Sequence, residues 1–320
     1  MSMSIRVAMV LICLSAWLAL PVAHAQTYDR TQIQLIHGAS RQPNDLARYL
    51  YLTRQLPRLG AADQSLALQL KASAANELGL YDQAIFGFPL KPSDPPDLSL
   101  PTSADWQAEP AVDVIARLAA HRRIVMVNEA HHYAHTRVLT LALLPRLRAL
   151  GFNYFAAEAL TGDAKGMMKR GYALQSDGTE YLHEPLYGDI IREAIRLGFT
   201  IVAYDADGNP AARETRQADN LYRQVFARDP NARLFVHAGY AHIDKAAGRL
   251  GRTPPMAMQL AKLTGIEPLS VDQTQFLETR LDKTDNYHQL IARFHPTGRV
   301  VLVRRTGDQV WSAQPKLYDA

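Results

Sequence analysis

The stretch from Val125 to Arg137, VMVNEAHHYAHTR, sets a carboxylate and three histidines close together, straight after an apolar run. Glu129, His131, His132 and His135 are residue types that suit a metal site or an acid/base centre; a histidine-rich solvated loop is the chemically idle alternative. Other apolar runs end the same way. YFAA runs into Glu158, TIVAY into Asp205 and Asp207, and RLFV into HAGYAH with His237 and His242. Asn128, His237 and Tyr240 lie beside these groups as candidates to contact a substrate. In an open parallel sheet the C-terminal strand ends share one edge, where ligands bind, so residues distant in sequence would converge there.

A cation joins that edge. Arg213 and Arg216 fall near the start of a helix that Asn209 can cap and whose first turn suits Pro210. Ala218, Leu221, Tyr222, Val225 and Phe226 supply its buried stripe. An arginine near a helix N-terminus opposes the helix dipole, which points to a local partner, Glu129 or Glu158. Together, two glutamates, several histidines and an arginine define a polar pocket. Arg216 is a further candidate to grip substrate.

Some groups read as structural. Asp205 and Asp207, in DADGNP, are turn formers. His135 falls on a helix and faces solvent. His183, in EYLHEPLYG, belongs to an inserted lid, and HEPLY is not the zinc motif HExxH because Tyr187 takes the second histidine position. No nucleophile elbow, P-loop or dinucleotide fingerprint occurs, which leaves histidine/carboxylate chemistry with or without a metal.

The elements that must carry these residues follow from periodicity. From about residue 111, short apolar strands alternate with helices, which predicts an α/β fold: a mostly parallel sheet with helices on both faces. RVVLVRR and QVWSA, around TGD, read as a terminal hairpin and an antiparallel edge. Residues 26–92 read as a small N-terminal helical unit, a hairpin in which ANELGLYDQAI resembles half of a tetratricopeptide repeat. Residues 93–110, rich in proline, serine and aspartate, read as a linker or an extended segment wrapping the next domain, residues 111–320.

Residues 1–25 read as a secretory signal peptide. Arg6 precedes an apolar stretch, and AHA ends at Ala25 as a cleavage site, so export to the periplasm or medium is expected. No later segment is apolar enough to span a bilayer. Cys13 is the only cysteine of the 320 residues, so the mature chain would have neither disulfides nor thiolate chemistry. The formal charge of +4 is spread without a basic stripe, which disfavours nucleic acid.

NEAHHYAHTR, GFNYFAAEAL, RETRQADN and LFVHAGYAHI, in this order, resemble the motifs of the erythromycin-esterase/ChaN/Tiki superfamily over roughly residues 111 to 245. The resemblance places Glu129 and Glu158 as motif glutamates, Arg213 as the helix-start arginine and His242 as the last histidine. Ala218 and Asn220 also agree. His131 fits the ChaN/Tiki spacing and His132 the esterase spacing. Asn128 stands where the family has glycine, Glu214 where it has aspartate and Gln217 where it has methionine.

The resemblance implies one of two functions. The first is hydrolysis of an ester, lactone or amide in a small-molecule or peptide substrate. There His131 or His132 is the base, Glu129 or Glu158 orients it, Arg213 stabilises the oxyanion and His242 is the leaving-group acid. The Tiki-like variant would place a divalent metal on His131, Glu158 and His242. The second is a ChaN-type haem or iron carrier without catalysis, with Tyr133, Tyr240 or His135 as axial ligand.

Overall fold

The structure, a computed structural model, describes residues 29–89, 94–162, 164–206, 209–278 and 284–320. The expected signal peptide and Asp207 lie outside the described residues. Five parallel strands form the central sheet: β2 (Ile124–Glu129), β3 (Tyr154–Ala157), β4 (Thr200–Ala203), β5 (Leu234–Gly239) and β6 (Leu269–Val271), in the order β4-β3-β5-β2-β6. Strand residues alternate between two cores, as a pleat covered on both faces requires. Val125, Val127, Phe155 and Phe235 face one core, and Ile124, Met126, Ala156, Leu234 and Val236 face the other.

The order explains which helices cover which face. Moving from β2 to β3 to β4, the chain steps one way across the sheet, through α6 (Arg137–Ala149) and α8 (Pro185–Arg196). Both helices pack in the first core, with α5 (Ala111–Ala119) beside them. From β4 to β5 to β6 it steps back through α9 (Pro210–Leu221) and α10 (Met256–Thr264), which pack in the second. Right-handed crossovers in opposite directions must lie on opposite faces. Gly151, at φ 88°, ends α6 as its position after the apolar-periodic run predicts.

The terminal antiparallel pair departs from expectation. β7 (Val300–Arg304) pairs with β1 (Trp106–Pro110), in a separate two-stranded sheet, and the hairpin survives only as a bridge between Val303 and Val310. The proline-rich segment 93–110 therefore ends in a strand, closed by Pro110, where a missing N–H is tolerated. Among the described residues the N-terminal unit has four α-helices rather than a hairpin: α1 (Arg30–Ser40), α2 (Asp45–Gln55), α3 (Ala61–Glu77) and α4 (Tyr81–Gly87). Leu35, Ile36, Leu52, Leu66 and Leu70 form its own core. The remaining helices are α7 (Ala164–Arg170) and α11 (Asn286–Phe294). No helix among the described residues is long and apolar enough to cross a membrane.

Candidate active site

The sheet register brings the strand ends together. Glu129 is the cross-strand partner of Gly239, and the backbone N–H of Glu158 donates to the carbonyl of His237 at 3.0 Å. Around this edge the polar groups form two clusters that meet at Gly239.

In the first, Glu129 is buried at the end of β2. Its Oε1 lies 2.9 Å from His131 Nδ1, and its carboxylate is ion-paired to Arg137. Arg137 is fully buried and reaches Glu184 Oε2 at 2.9 Å. Burial alone would raise the Glu129 carboxyl, but Arg137, with His131 and His237, holds it well below the usual range. An ionised Glu129 accepts the Nδ1 hydrogen of His131, leaving Nε2 directed at the second cluster. His237 lies behind, with Nε2 3.5 Å from Glu129 Oε2 and Nδ1 2.9 Å from Thr140 Oγ1.

In the second, Glu158 Oε1 receives Arg213 Nη2 at 2.6 Å, and its Oε2 accepts the Gly239 N–H. Arg213 also bonds Asp205 Oδ1, from Nε at 3.0 Å, which resolves its conflict with the helix dipole. Asp205 is thus an ion-pair partner, although it also accepts the Ala206 N–H as a turn former would. His242 sits between Glu214 Oε1 (2.6 Å from Nδ1) and Glu158 Oε1 (3.3 Å from Nε2). Burial disfavours its charge, but Glu214 and Glu158 outweigh this and raise the imidazole to about 10, which favours the imidazolium, while Arg213 Nη1, 3.1 Å from Nε2, opposes it. For Glu158, burial is likewise outweighed by His242 and Arg213, and its carboxyl lies well below the ordinary range.

Gly239 is the meeting point. A Cβ there would lie 2.4 Å from His131 Cε1, 2.5 Å from His131 Nε2 and 3.1 Å from Glu158 Oε2. Only a residue without a side chain leaves room for the imidazole and the carboxylate to close on this point of the backbone. Tyr240, next in the chain, holds φ 43°, a left-handed conformation unusual for a tyrosine. It is fixed at both ends: its hydroxyl accepts the His131 N–H at 2.9 Å, and its carbonyl accepts Asn128 Nδ2 at 2.8 Å.

Glu129, His131, Glu158, Arg213 and His242 are therefore brought together. His132 is not: it turns toward the Tyr240 hydroxyl (3.2 Å) and stacks on Phe88, ring centroids 3.6 Å apart. Asn128 ties β2 to Tyr240 and, at 2.6 Å, to Asp272. Its side chain is spent on structure, as is the Tyr240 hydroxyl, whereas His237 bonds Thr140 through Nδ1 and its buried Nε2 reaches only Glu129. Arg216 lies on the exposed face of α9, whereas Arg213, Glu214, Gln217 and Ala218 are buried. His135 is exposed, and His183 bonds Asp45 of α2 at 2.9 Å. Arg137 and Glu184 are members that the sequence did not single out, and Glu214, noted there only as a departure at the motif's aspartate position, is a third.

The donor set fits a divalent ion poorly. Arg213 Nη1 stands 3.1 Å from His242 Nε2, and the other ring nitrogen faces Glu214, so a guanidinium holds the position a metal would need. Among the described residues, the three-donor grouping compact enough for an ion is elsewhere, at Asp45, Glu77 and His183, where Arg48 already pairs with both acids.

No family model and no curated protein matches the chain. Solved structures similar to it are of bacterial toxins. One, described as bacterial protein toxins, shares 14% identity over 78% of this chain and 47% of that one, with a TM-score of 0.38. Another, RRSP, a MARTX toxin effector domain from Vibrio vulnificus, shares 16% identity over 74% of this chain and 50% of that one, also with a TM-score of 0.38. The chain spans about half the length of these structures, and a likeness this loose carries no inference about activity.

Proposed function

We propose that this chain is an exported hydrolase of an ester, lactone or amide, working by metal-free acid/base chemistry at the C-terminal edge of the sheet. The resemblance to the erythromycin-esterase/ChaN/Tiki superfamily supports the reading. The observation that carries it is the convergence of His131 Nε2 and Glu158 Oε2 on Gly239, with Glu129 fixing the far nitrogen of the imidazole. Export rests on the leader-like residues 1–25.

His131 Nε2 takes a proton from water, and Glu129 supports the imidazolium that forms. The water oxygen attacks the acyl carbon, and the charge of Arg213 stabilises the oxyanion that develops. His242, cationic between Glu158 and Glu214, returns a proton to the leaving oxygen or nitrogen. Glu158 holds Arg213 and His242 in place. All of these groups are buried, and Tyr181 stacks on His131 with centroids 4.3 Å apart, so substrate enters by displacing the turn that carries Tyr181.

A panel of esters, lactones and peptides tests this with purified protein. Glu158→Gln should lower kcat by about a hundredfold or more on any substrate found. Unchanged turnover would remove Glu158 from the mechanism. The carrier reading is weaker at Tyr240, whose buried hydroxyl is engaged by His131 and His132, and haemin titration without a Soret shift would end it.

A further inference from the structure

α11 carries an apolar stripe at helical spacing, Tyr287, Leu290, Ile291 and Phe294. Such a stripe normally packs into a core, yet no residue of this helix is buried, and Ile291 is 40% exposed. The stripe instead walls a cavity of about 440 Å³. Phe276 and Trp311 also line it, stacked with centroids 5.9 Å apart, and Ile115 and Leu139 of the first core reach it from below. A mainly apolar hollow of this size lies in the range of small-molecule sites, about 300–1,000 Å³.

The charge at its rim narrows the ligand. Two charged residues line the cavity, Asp272 and Arg299. Asp272 is neutralised by Arg249 at 2.6 Å. Arg299 is exposed, and its bond to the His135 carbonyl at 2.9 Å uses one of the five N–H donors of a guanidinium. Apolar walls with a cation at the rim complement an amphiphile bearing one negative charge.

We propose that this cavity binds an acyl-chain carboxylate, with the chain between α11 and the Phe276–Trp311 pair and the carboxylate at Arg299. It is distinct from the candidate active site: Tyr133, His135 and Thr136 line it, while Glu129 and His131 do not.

Trp311 provides the probe. In a Trp106→Phe background, laurate should change Trp311 fluorescence saturably at one equivalent, and calorimetry should give the same stoichiometry. Arg299→Gln should weaken laurate about tenfold and leave dodecanol, which has no charge, unaffected. Leu290→Glu, which puts a like charge beside the chain, should abolish binding of both while thermal unfolding stays near wild type. Absence of saturable laurate binding by both methods would overturn the proposal. So would laurate affinity unchanged in Arg299→Gln, or wild-type binding in Leu290→Glu.

Discussion

A methyl group on Gly239 would stand 2.5 Å from His131 Nε2 and 3.1 Å from Glu158 Oε2. The backbone there is ordinary, φ −78°, so Gly239→Ala tests crowding rather than conformational strain. Overpacking of this kind costs about 1–3 kcal/mol, and displacement of a reacting group by 1 Å costs roughly a hundredfold in rate. The expected outcome is a folded protein with a melting temperature a few degrees lower and kcat down by about a hundredfold. Wild-type kcat would show that crowding His131 and Glu158 at Gly239 does not disturb the chemistry. At this scale the sequence was partly legible. Glu129, Glu158 and His242 stood out because each follows an apolar run, and Arg213 because a cation at a helix start opposes the dipole. The same argument applies to Arg137, the first residue of α6, and would have found it. Glu184 gave no such signal, because its contacts with Tyr81 and Arg137 join elements far apart in the chain, and Glu214 was marked only as standing at the motif's aspartate position.

Parallel strands and their covering helices were readable as elements because both cores impose apolar runs on the strands and apolar stripes on the helices. The pairing of β1 with β7 was not, because partners nearly two hundred residues apart leave no local trace, whereas TGD advertised a hairpin. Glu184 shows how one side chain can join elements. It caps α8 by accepting the N–H groups of Leu186 and Tyr187, both at 3.1 Å, accepts the Tyr81 hydroxyl at 2.9 Å, and shares Arg137 with Glu129. Glu184→Ala removes a cap and leaves a buried guanidinium undercompensated. Loss of one partner of a buried pair costs about 3–5 kcal/mol. Asn209→Ala, which removes only a cap contact to Ala212 on α9, should cost about 1 kcal/mol. Denaturant midpoints at constant m-value compare the two. Similar losses would mean that Glu184 contributes no more than its cap.

The N-terminal helices and the α/β domain are joined over the candidate site. Asn76 of α3 donates to the His131 carbonyl at 3.1 Å and accepts the Ala134 N–H at 3.0 Å, and Phe88 covers His132. A tetratricopeptide-like phrase predicted helices here but not their seat, because polar contacts such as those of Asn76 follow no period. Asn76→Ala should destabilise the whole protein by about 1–3 kcal/mol, since the buried Ala134 N–H loses its side-chain partner and the His131 carbonyl keeps only Arg137 at 3.5 Å, and thermal unfolding measures it. The covering also makes stability depend on pH. Burial, helped by His131, lowers His132 from 6.5 to about 3. Between these values the unfolded chain binds a proton that the folded chain refuses, so this contribution is complete above pH 6.5 and is lost as pH falls toward 3. The loss reaches about 1.4 kcal/mol per pH unit at most. Denaturant midpoints between pH 7 and 4 should therefore fall more steeply in the wild type than in His132→Gln, which has no proton to take up. Parallel pH profiles would show that His132 is protonated without undocking the N-terminal helices, and that Phe88 is a loose cover rather than a seal.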